Sequence, residues 1–274
     1  MPEGVAPGSL RHFAVLFSGS PDKPLLEAVY ALEAEVRRVV AATSHEAAHA
    51  KLQWWRGEID RLAGGRPSHP LAGALLPLRG RRDVDLTLCH EMLVAADLDL
   101  ARMTYSTWQE LDAYLFRSAG IIQTLIAALL AGERGLAPAE REFARRLGAA
   151  LRQSEMLFDL DRDLARGRLY APTAALEAAG IDPEAFVRDR RTATASTFIG
   201  GWQERVRSEL RSLPAILAEP GLRGAQRHGL VLAALHARWL EARSAVSAPA
   251  GGPRPELGAF TRLWTAWRTA LHHG

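Results

Sequence analysis

Two aspartates four positions apart mark the clearest chemistry in the chain. In Asp159-Leu160-Asp161-Arg162-Asp163, Asp159 and Asp163 fall on one helix face, and Glu155 stands four positions earlier on that face. Like charges at this spacing destabilise an isolated helix by about 0.2–0.5 kcal/mol per pair. A Mg2+ ion relieves the repulsion, because it takes carboxylate and phosphate oxygens together. The same residues also read as a solvated charged face, with Asp159 paired to Arg162 and Asp163 to Arg166 at i,i+3. A second candidate is His45-Glu46-Ala47-Ala48-His49, the spacing of a zinc-peptidase helix with two imidazoles on one face and a glutamate base. Catalytic zinc needs a third protein ligand. The extended His-x-x-Gly-x-x-His continuation is absent, which leaves His69, His90 and Glu91 as candidates. The bland reading is two surface histidines on an Ala-rich turn. No glycine-rich phosphate loop or Ser-His-Asp arrangement is legible.

These groups need a scaffold, and the apolar pattern is helical nearly throughout. Leu25, Val29, Leu32, Val36 and Val39 recur every three or four residues, as do Leu52, Trp55, Ile59 and Leu62. Ser20-Pro21 reads as an N-cap followed by proline, and Thr43 with Glu46 has capping-box spacing. The helix after Thr43 should stop at Gly64-Gly65, before a Pro-rich connector over 66–70. Further helices fit 71–78, 84–98, 107–131, 139–166, 183–191, 194–212 and 226–245, with Asp182-Pro183-Glu184 as another start. Leu147, Leu151, Ser154, Leu157 and Leu164 give the aspartate helix an apolar side for a core. No convincing alternating strand appears, so the expected class is all-α. The expected organisation is one helical domain over 1–246, a Gly/Pro linker over 247–255, and a short amphipathic helix and tail over 256–274, ending in His272 and His273.

Composition narrows the partners. The chain has 274 residues, with 34 basic and 31 acidic side chains for a net charge of +3. Nearly all the cations are arginine, Lys23 and Lys51 being the exceptions. Drift in a high-GC genome explains that bias as well as phosphate recognition does. Such a balance is poor ground for a nucleic-acid partner, and none is expected; a diphosphate or an anionic membrane surface suits it equally. Cys89, the single cysteine, sits in an apolar stretch and excludes an internal disulfide, which suits a reducing compartment. Residues 1–10 carry no long apolar run, so no signal peptide is expected. The apolar stretch 119–131, interrupted by Gln123 and Thr124, is too short for a bilayer and reads as a buried helix. Of the seven tryptophans, Trp54, Trp55, Trp108, Trp202 and Trp239 are expected in core or rim packing. Trp264 and Trp267 share that reading, but with Arg268 they also suit a membrane surface or a partner.

Motif order adds a family resemblance. Asp159 and Asp163 are followed, three residues later, by Gly167-Arg168-Leu169-Tyr170-Ala171-Pro172, which resembles the second aspartate motif of the squalene/phytoene synthase family. Trp55-Arg56-Gly57-Glu58 resembles its Trp-Arg-x-Glu helix, and Gly65-Arg66-Pro67-Ser68-His69-Pro70 its Gly-Arg-Pro-x-His-Pro turn. Asp99-Leu100, Tyr105, Thr107, Glu110-Leu111, Tyr114 and Ala119-Gly120 resemble its central helices. The likeness spans roughly residues 11–245. It implies an isoprenoid-synthase-like bundle around a central cavity, with two aspartate-rich helices facing each other at the mouth. It implies Mg2+ as cofactor and head-to-head condensation of prenyl diphosphates, farnesyl or geranylgeranyl.

The departures alter that expectation. The family's first aspartate motif follows Tyr-Ala-Leu-Tyr-Ala-Phe-Cys-Arg; here the stretch reads Tyr30-Ala31-Leu32-Glu33-Ala34-Glu35-Val36-Arg37, and Val40, Ala41 and Ser44 occupy the aspartate positions. Arg152, Glu155 and Phe158 stand where the family has Gln, Asn and Arg, and His236 where it has a late Tyr. The pattern resembles a degenerate branch typified by the mitochondrial complex I assembly factor. It implies a pseudo-enzyme that binds an isoprenoid or lipid-like ligand, or that meets a protein partner in assembly. The alternative is an active Mg2+-dependent prenyltransferase using the remaining motif, with Glu155 and Asp99 as added ligands to Asp159 and Asp163. The resemblance makes Asp159 and Asp163 the catalytic and metal candidates. Arg37, Arg152, Glu155, Arg168, Tyr170 and Tyr114 are the substrate-binding candidates. Location is expected to be cytoplasmic, with at most peripheral contact at the inner membrane.

Overall fold

The computed structural model describes residues 4–41, 44–245 and 257–273, and among these the chain is helical with no strand. Its helices are α1 (Leu10–Leu16), α2 (Lys23–Val40), α3 (His45–Ala63), α4 (Pro70–Leu75), α5 (Cys89–Leu100), α6 (Trp108–Leu115), α7 (Ile121–Ala131) and α8 (Pro138–Ala165). There follow α9 (Thr173–Ala178), α10 (Pro183–Arg188), α11 (Ala193–Ser212), α12 (Pro220–Ala225), α13 (Arg227–Ala245) and α14 (Ala259–His272). The linker expected over 247–255 lies outside the described residues.

Two helix starts are shifted from expectation. The Ser20 hydroxyl accepts from Asp22 N at 3.0 Å, so it closes a turn, and α2 begins at Lys23 with Pro24 in its first turn. At α3 the cap is Ser44, whose hydroxyl accepts from Ala47 N at 3.2 Å; Thr43 lies outside the described residues. Gly65, at φ +79°, ends α3 in a conformation that glycine adopts without strain.

The helix expected over 107–131 is broken by a π turn over Phe116–Gly120 between α6 and α7. The turn lies where α8 crosses. A Cβ on Gly148 would lie 2.6 Å from Ala119 O and from Gly120 Cα, so the long helix crosses the π turn backbone to backbone. The run from Trp108 to Arg134 is long and apolar enough to cross a membrane by length and composition, yet its most apolar window is mostly buried in the bundle. Cys89 is buried, as are Trp55 and Trp202, whereas Trp54, Trp264 and Trp267 are exposed.

The buried core is shared by α2, α3, α5, α7, α8, α11 and α13. It contains a polar cluster in which Tyr30 Oη meets His228 Nε2 at 2.8 Å and accepts from Gln123 Nε2 at 3.3 Å. Burial pushes the His228 imidazole down to about 4, so it enters this cluster neutral at pH 7. The C-terminal helix packs back onto α13 and α1 through Ala266 and Ala270, and it runs through His272 where a tail is expected.

Candidate active site

The two motifs over 55–70 meet at one carboxylate. Glu58, fully buried on α3, accepts from Ser68 N, Ser68 Oγ and His69 N at 2.7 Å each and from Arg61 Nε at 2.8 Å. Burial opposes its charge, but these donors pull the carboxyl down to about 2. The Trp-Arg-x-Glu helix and the Pro-His turn are thus a structural clasp. His69 caps α4 by accepting from Leu71 N at 3.2 Å.

Across the bundle, α2 and α8 face each other through charge. Arg37 on α2 donates to Glu155 on α8 at 2.6 Å and pairs with Glu33, one turn earlier, at 2.6 Å. Arg11 on α1 reaches both carboxylates, at 2.9 Å to Glu33 and 3.5 Å to Glu155. Arg152 stands 3.5 Å from Glu155. Burial resists ionisation of Glu155, yet Arg37, Arg11 and Arg152 hold its carboxyl well below the usual range. The two glutamates that replace family Tyr and Asn therefore neutralise the arginine cluster from within.

Arg152 links this cluster to the aromatic wall. Its Nη2 donates to Tyr114 Oη at 2.9 Å and to Tyr170 Oη at 3.3 Å. Both hydroxyls then donate to Asp99, Tyr170 at 2.7 Å and Tyr114 at 3.0 Å. Burial pushes the Tyr114 phenol up to about 12 and that of Tyr170 higher still, so both remain donors at neutral pH. Arg168 donates to the carbonyls of Asp99 at 3.2 Å and Val40 at 3.1 Å. It thereby clamps the end of α2 where the resemblance calls for an aspartate.

Of the aspartate pair, Asp163 lies at the edge of this arrangement, within electrostatic reach of Arg152, Arg168 and Asp99. Asp159 makes the expected pair with Arg162 and Asp161 pairs with Arg190, but the face is not solvated: the Asp159 side chain is only 14% exposed. Asp163 is buried; burial lifts its carboxyl above the ordinary range against the pull of Arg152, Arg162 and Arg168. Its backbone carbonyl accepts from Arg166 N at 3.0 Å and from Arg168 N at 2.8 Å, which closes α8. Between α2, α5, α6 and α8 lies a cavity of about 30 Å³, lined by Glu33, Arg37, Asp99, Tyr114 and Arg152 among others. Neither Asp159 nor Asp163 lines it. Phe158, in the family's arginine position, stacks on Trp239 with ring centroids 3.3 Å apart, and His236 meets that tryptophan edge-on at 5.6 Å.

Sequence reasoning named Arg37, Arg152, Glu155, Arg168, Tyr170 and Tyr114, and the structure brings all six into one connected network. It did not assign Arg11 or Glu33 to the site. Ser9 ahead of Leu10 and Phe13 is the signal for α1, whose cap is Ser9 Oγ accepting from His12 N at 3.1 Å.

Among the described residues no group of three or more His, Cys, Asp or Glu side chains is placed to hold a metal. His45 and His49 have ring centroids 6.3 Å apart, and His49 lies 3.7 Å from Asp97. The other zinc candidates are engaged elsewhere: His90 with Asp60 at 2.8 Å, Glu91 with Arg117 at 2.7 Å, and His69 in its cap. Where the resemblance calls for a second set of Mg2+ ligands, Val40, Ala41 and Ser44 offer no carboxylate, and Asp99 is held by two tyrosines.

Comparison with known proteins agrees with this architecture. Phytoene synthase 3 of Zea mays is 29% identical over 175 residues, which cover 61% of this chain and 40% of that protein. The 15-cis-phytoene synthase of Synechocystis sp. is 29% identical over 135 residues, covering 46% and 40% respectively. The chain thus spans about 40% of the length of these curated relatives. In fold it is similar to a dehydrosqualene synthase solved in complex with ligand, with a TM-score of 0.77 at 17% identity over 95% of this chain and 90% of that one. It is also similar to a squalene synthase from Alicyclobacillus acidocaldarius, with a TM-score of 0.63 at 23% identity over 84% and 88%. The sequence model of squalene/phytoene synthases matches residues 11–257, and the chain belongs to that family.

Proposed function

We propose that this chain is a catalytically silent squalene/phytoene-synthase-like protein, which keeps the bundle as a scaffold for assembly with a protein partner. The observation that carries the reading is the Arg37–Glu155 bridge, with Glu33 and Arg11 around it. Arginines that would meet a diphosphate already meet carboxylates of the same chain. A diphosphate would have to displace them and leave Glu33 and Glu155 facing its own charge, which is unfavourable at these distances. The residues present do not fit a two-sided Mg2+ clamp. Space points the same way. A pocket for a small organic ligand takes about 300–1,000 Å³, whereas the central cavity holds about 30 Å³, room for one water. That leaves no room for a prenyl or lipid chain between α2, α5, α6 and α8.

Calorimetric titration with farnesyl diphosphate and Mg2+ tests the reading. No saturable binding is expected. Mg2+-dependent binding that Asp159→Ala abolishes would favour the second reading, a prenyltransferase working from the remaining motif. The observation favouring that second reading is the survival of Asp159 and Asp163 ahead of Arg168 and Tyr170, in a chain 29% identical to a phytoene synthase over 175 residues.

A further inference from the structure

The C-terminal helix is turned inside out relative to an ordinary core helix. Its small side chains Ala266 and Ala270 are buried against the bundle, while Phe260, Leu263, Trp264, Trp267 and Leu271 stand in solvent. Phe260 is 76% exposed and Leu271 64%. The five recur every three or four positions, so they form one continuous stripe along α14. A contiguous apolar surface of this kind marks an interaction site.

The surroundings of the stripe are basic. Arg268 borders it, exposed, and residues 257–273 contain no acidic side chain. Residues 220–274 hold seven arginines and two glutamates, so this end carries +5 in a chain whose total is +3. Between α14 and helices α11 and α13 runs a groove of about 1010 Å³, lined by Arg211, Arg223, Arg238 and Arg268 together with Phe260 and Trp264. Arg211 and Arg238 share one carboxylate, Glu241. Burial first, then Arg223, His272 and Arg227, push the His273 imidazole down, as expected where positive charge is crowded.

We infer that α14 lies flat on an anionic bilayer, with its aromatic stripe at the boundary between headgroups and acyl chains and the flanking arginines on lipid phosphates. Trp and Phe on one side and arginine on the other suit that interface, and each basic residue near an anionic surface adds to the attraction. A second copy is a poorer occupant, because stripe-to-stripe pairing would bring two +5 ends together.

The test is co-sedimentation of the full chain with vesicles of phosphatidylglycerol and phosphatidylcholine in equal parts, and with phosphatidylcholine alone. Binding is expected on the anionic vesicles, roughly tenfold or more weaker on neutral ones, and reduced by salt. Trp264→Ser with Trp267→Ser should weaken it by roughly tenfold or more, with unchanged far-ultraviolet circular dichroism. Arg268→Glu, an exposed single change, should weaken it without touching the stripe. The inference is overturned by absence of binding to anionic vesicles, by equal binding to neutral ones, or by binding that neither variant alters. A lipid-free dimer that the tryptophan variant converts to monomer would overturn it in favour of a self-association face.

Discussion

Glu155→Ala should convert the closed chamber into an anion site. In the parent, three arginines (Arg11, Arg37, Arg152) face three carboxylates (Glu33, Glu155, Asp99), so the cluster is near neutral. Removing Glu155 leaves one uncompensated positive charge, and Arg37 loses its 2.6 Å partner. Breaking a fully buried pair costs about 3–5 kcal/mol. Glu155 is 20% and Arg37 37% exposed, so solvent reduces the loss to about 2–3 kcal/mol. For a chain of this size the melting temperature should fall by roughly 4–12 °C. Pyrophosphate without metal should then bind the freed arginines; at ten times its dissociation constant it would restore about 1.4 kcal/mol. Differential scanning fluorimetry of parent and variant, with and without pyrophosphate, measures both effects. A variant that melts with the parent, or pyrophosphate that shifts both proteins equally, refutes the reasoning.

Other residues give independent checks. Glu58→Gln should destabilise by about 2–4 kcal/mol, because four donors lose a charged acceptor. The Glu58 carboxyl is depressed to about 2 in the folded chain, so its contribution is present above the unfolded value near 4.5 and lost as pH falls through about 2. The stability gap between parent and variant should therefore close over that window in acid denaturation curves. Gly148→Ala places a methyl group against the backbone at 119–120 and should cost about 1–3 kcal/mol or more by chemical denaturation. Asp163→Asn should be neutral or slightly stabilising at pH 7 by chemical denaturation. The raised folded value of Asp163 means that its carboxyl favours folding at low pH and loses that effect as pH rises through the folded value. A large loss of stability at pH 7 would show that the aspartate is held as a needed anion.

The helices were legible wherever one face is apolar and the other polar, as in α2, α3 and α8. Three short helices, α1, α9 and α12, escaped: six or seven residues give too few turns for a period to register, and none carries the Asp-Pro-Glu start that exposed the equally short α10. The π turn escaped for another reason. From Ile121 to Ala131 nearly every side chain is buried, so the apolar pattern carries no phase from which an extra residue can be read. At the site, motif order named the residues but not their partners. Arg37 and Glu155 are 118 positions apart, and nothing local in either segment says that one neutralises the other. Glu33 was visible as a departure from the family pattern, yet its role depends on Arg11 from the missed helix α1. The histidine pair at 45 and 49 matched a five-residue pattern whose third ligand only the fold could supply, and the fold engages each candidate elsewhere.

Turnover tests the account most directly. The purified 274-residue chain is incubated with Mg2+ and farnesyl or geranylgeranyl diphosphate, and both hydrocarbon product and released pyrophosphate are measured. The internal Arg–Glu bridge and the missing carboxylates at Val40, Ala41 and Ser44 predict neither above a no-protein control. Squalene- or phytoene-type product, abolished by Asp159→Ala, would contradict the account and establish that one aspartate helix suffices.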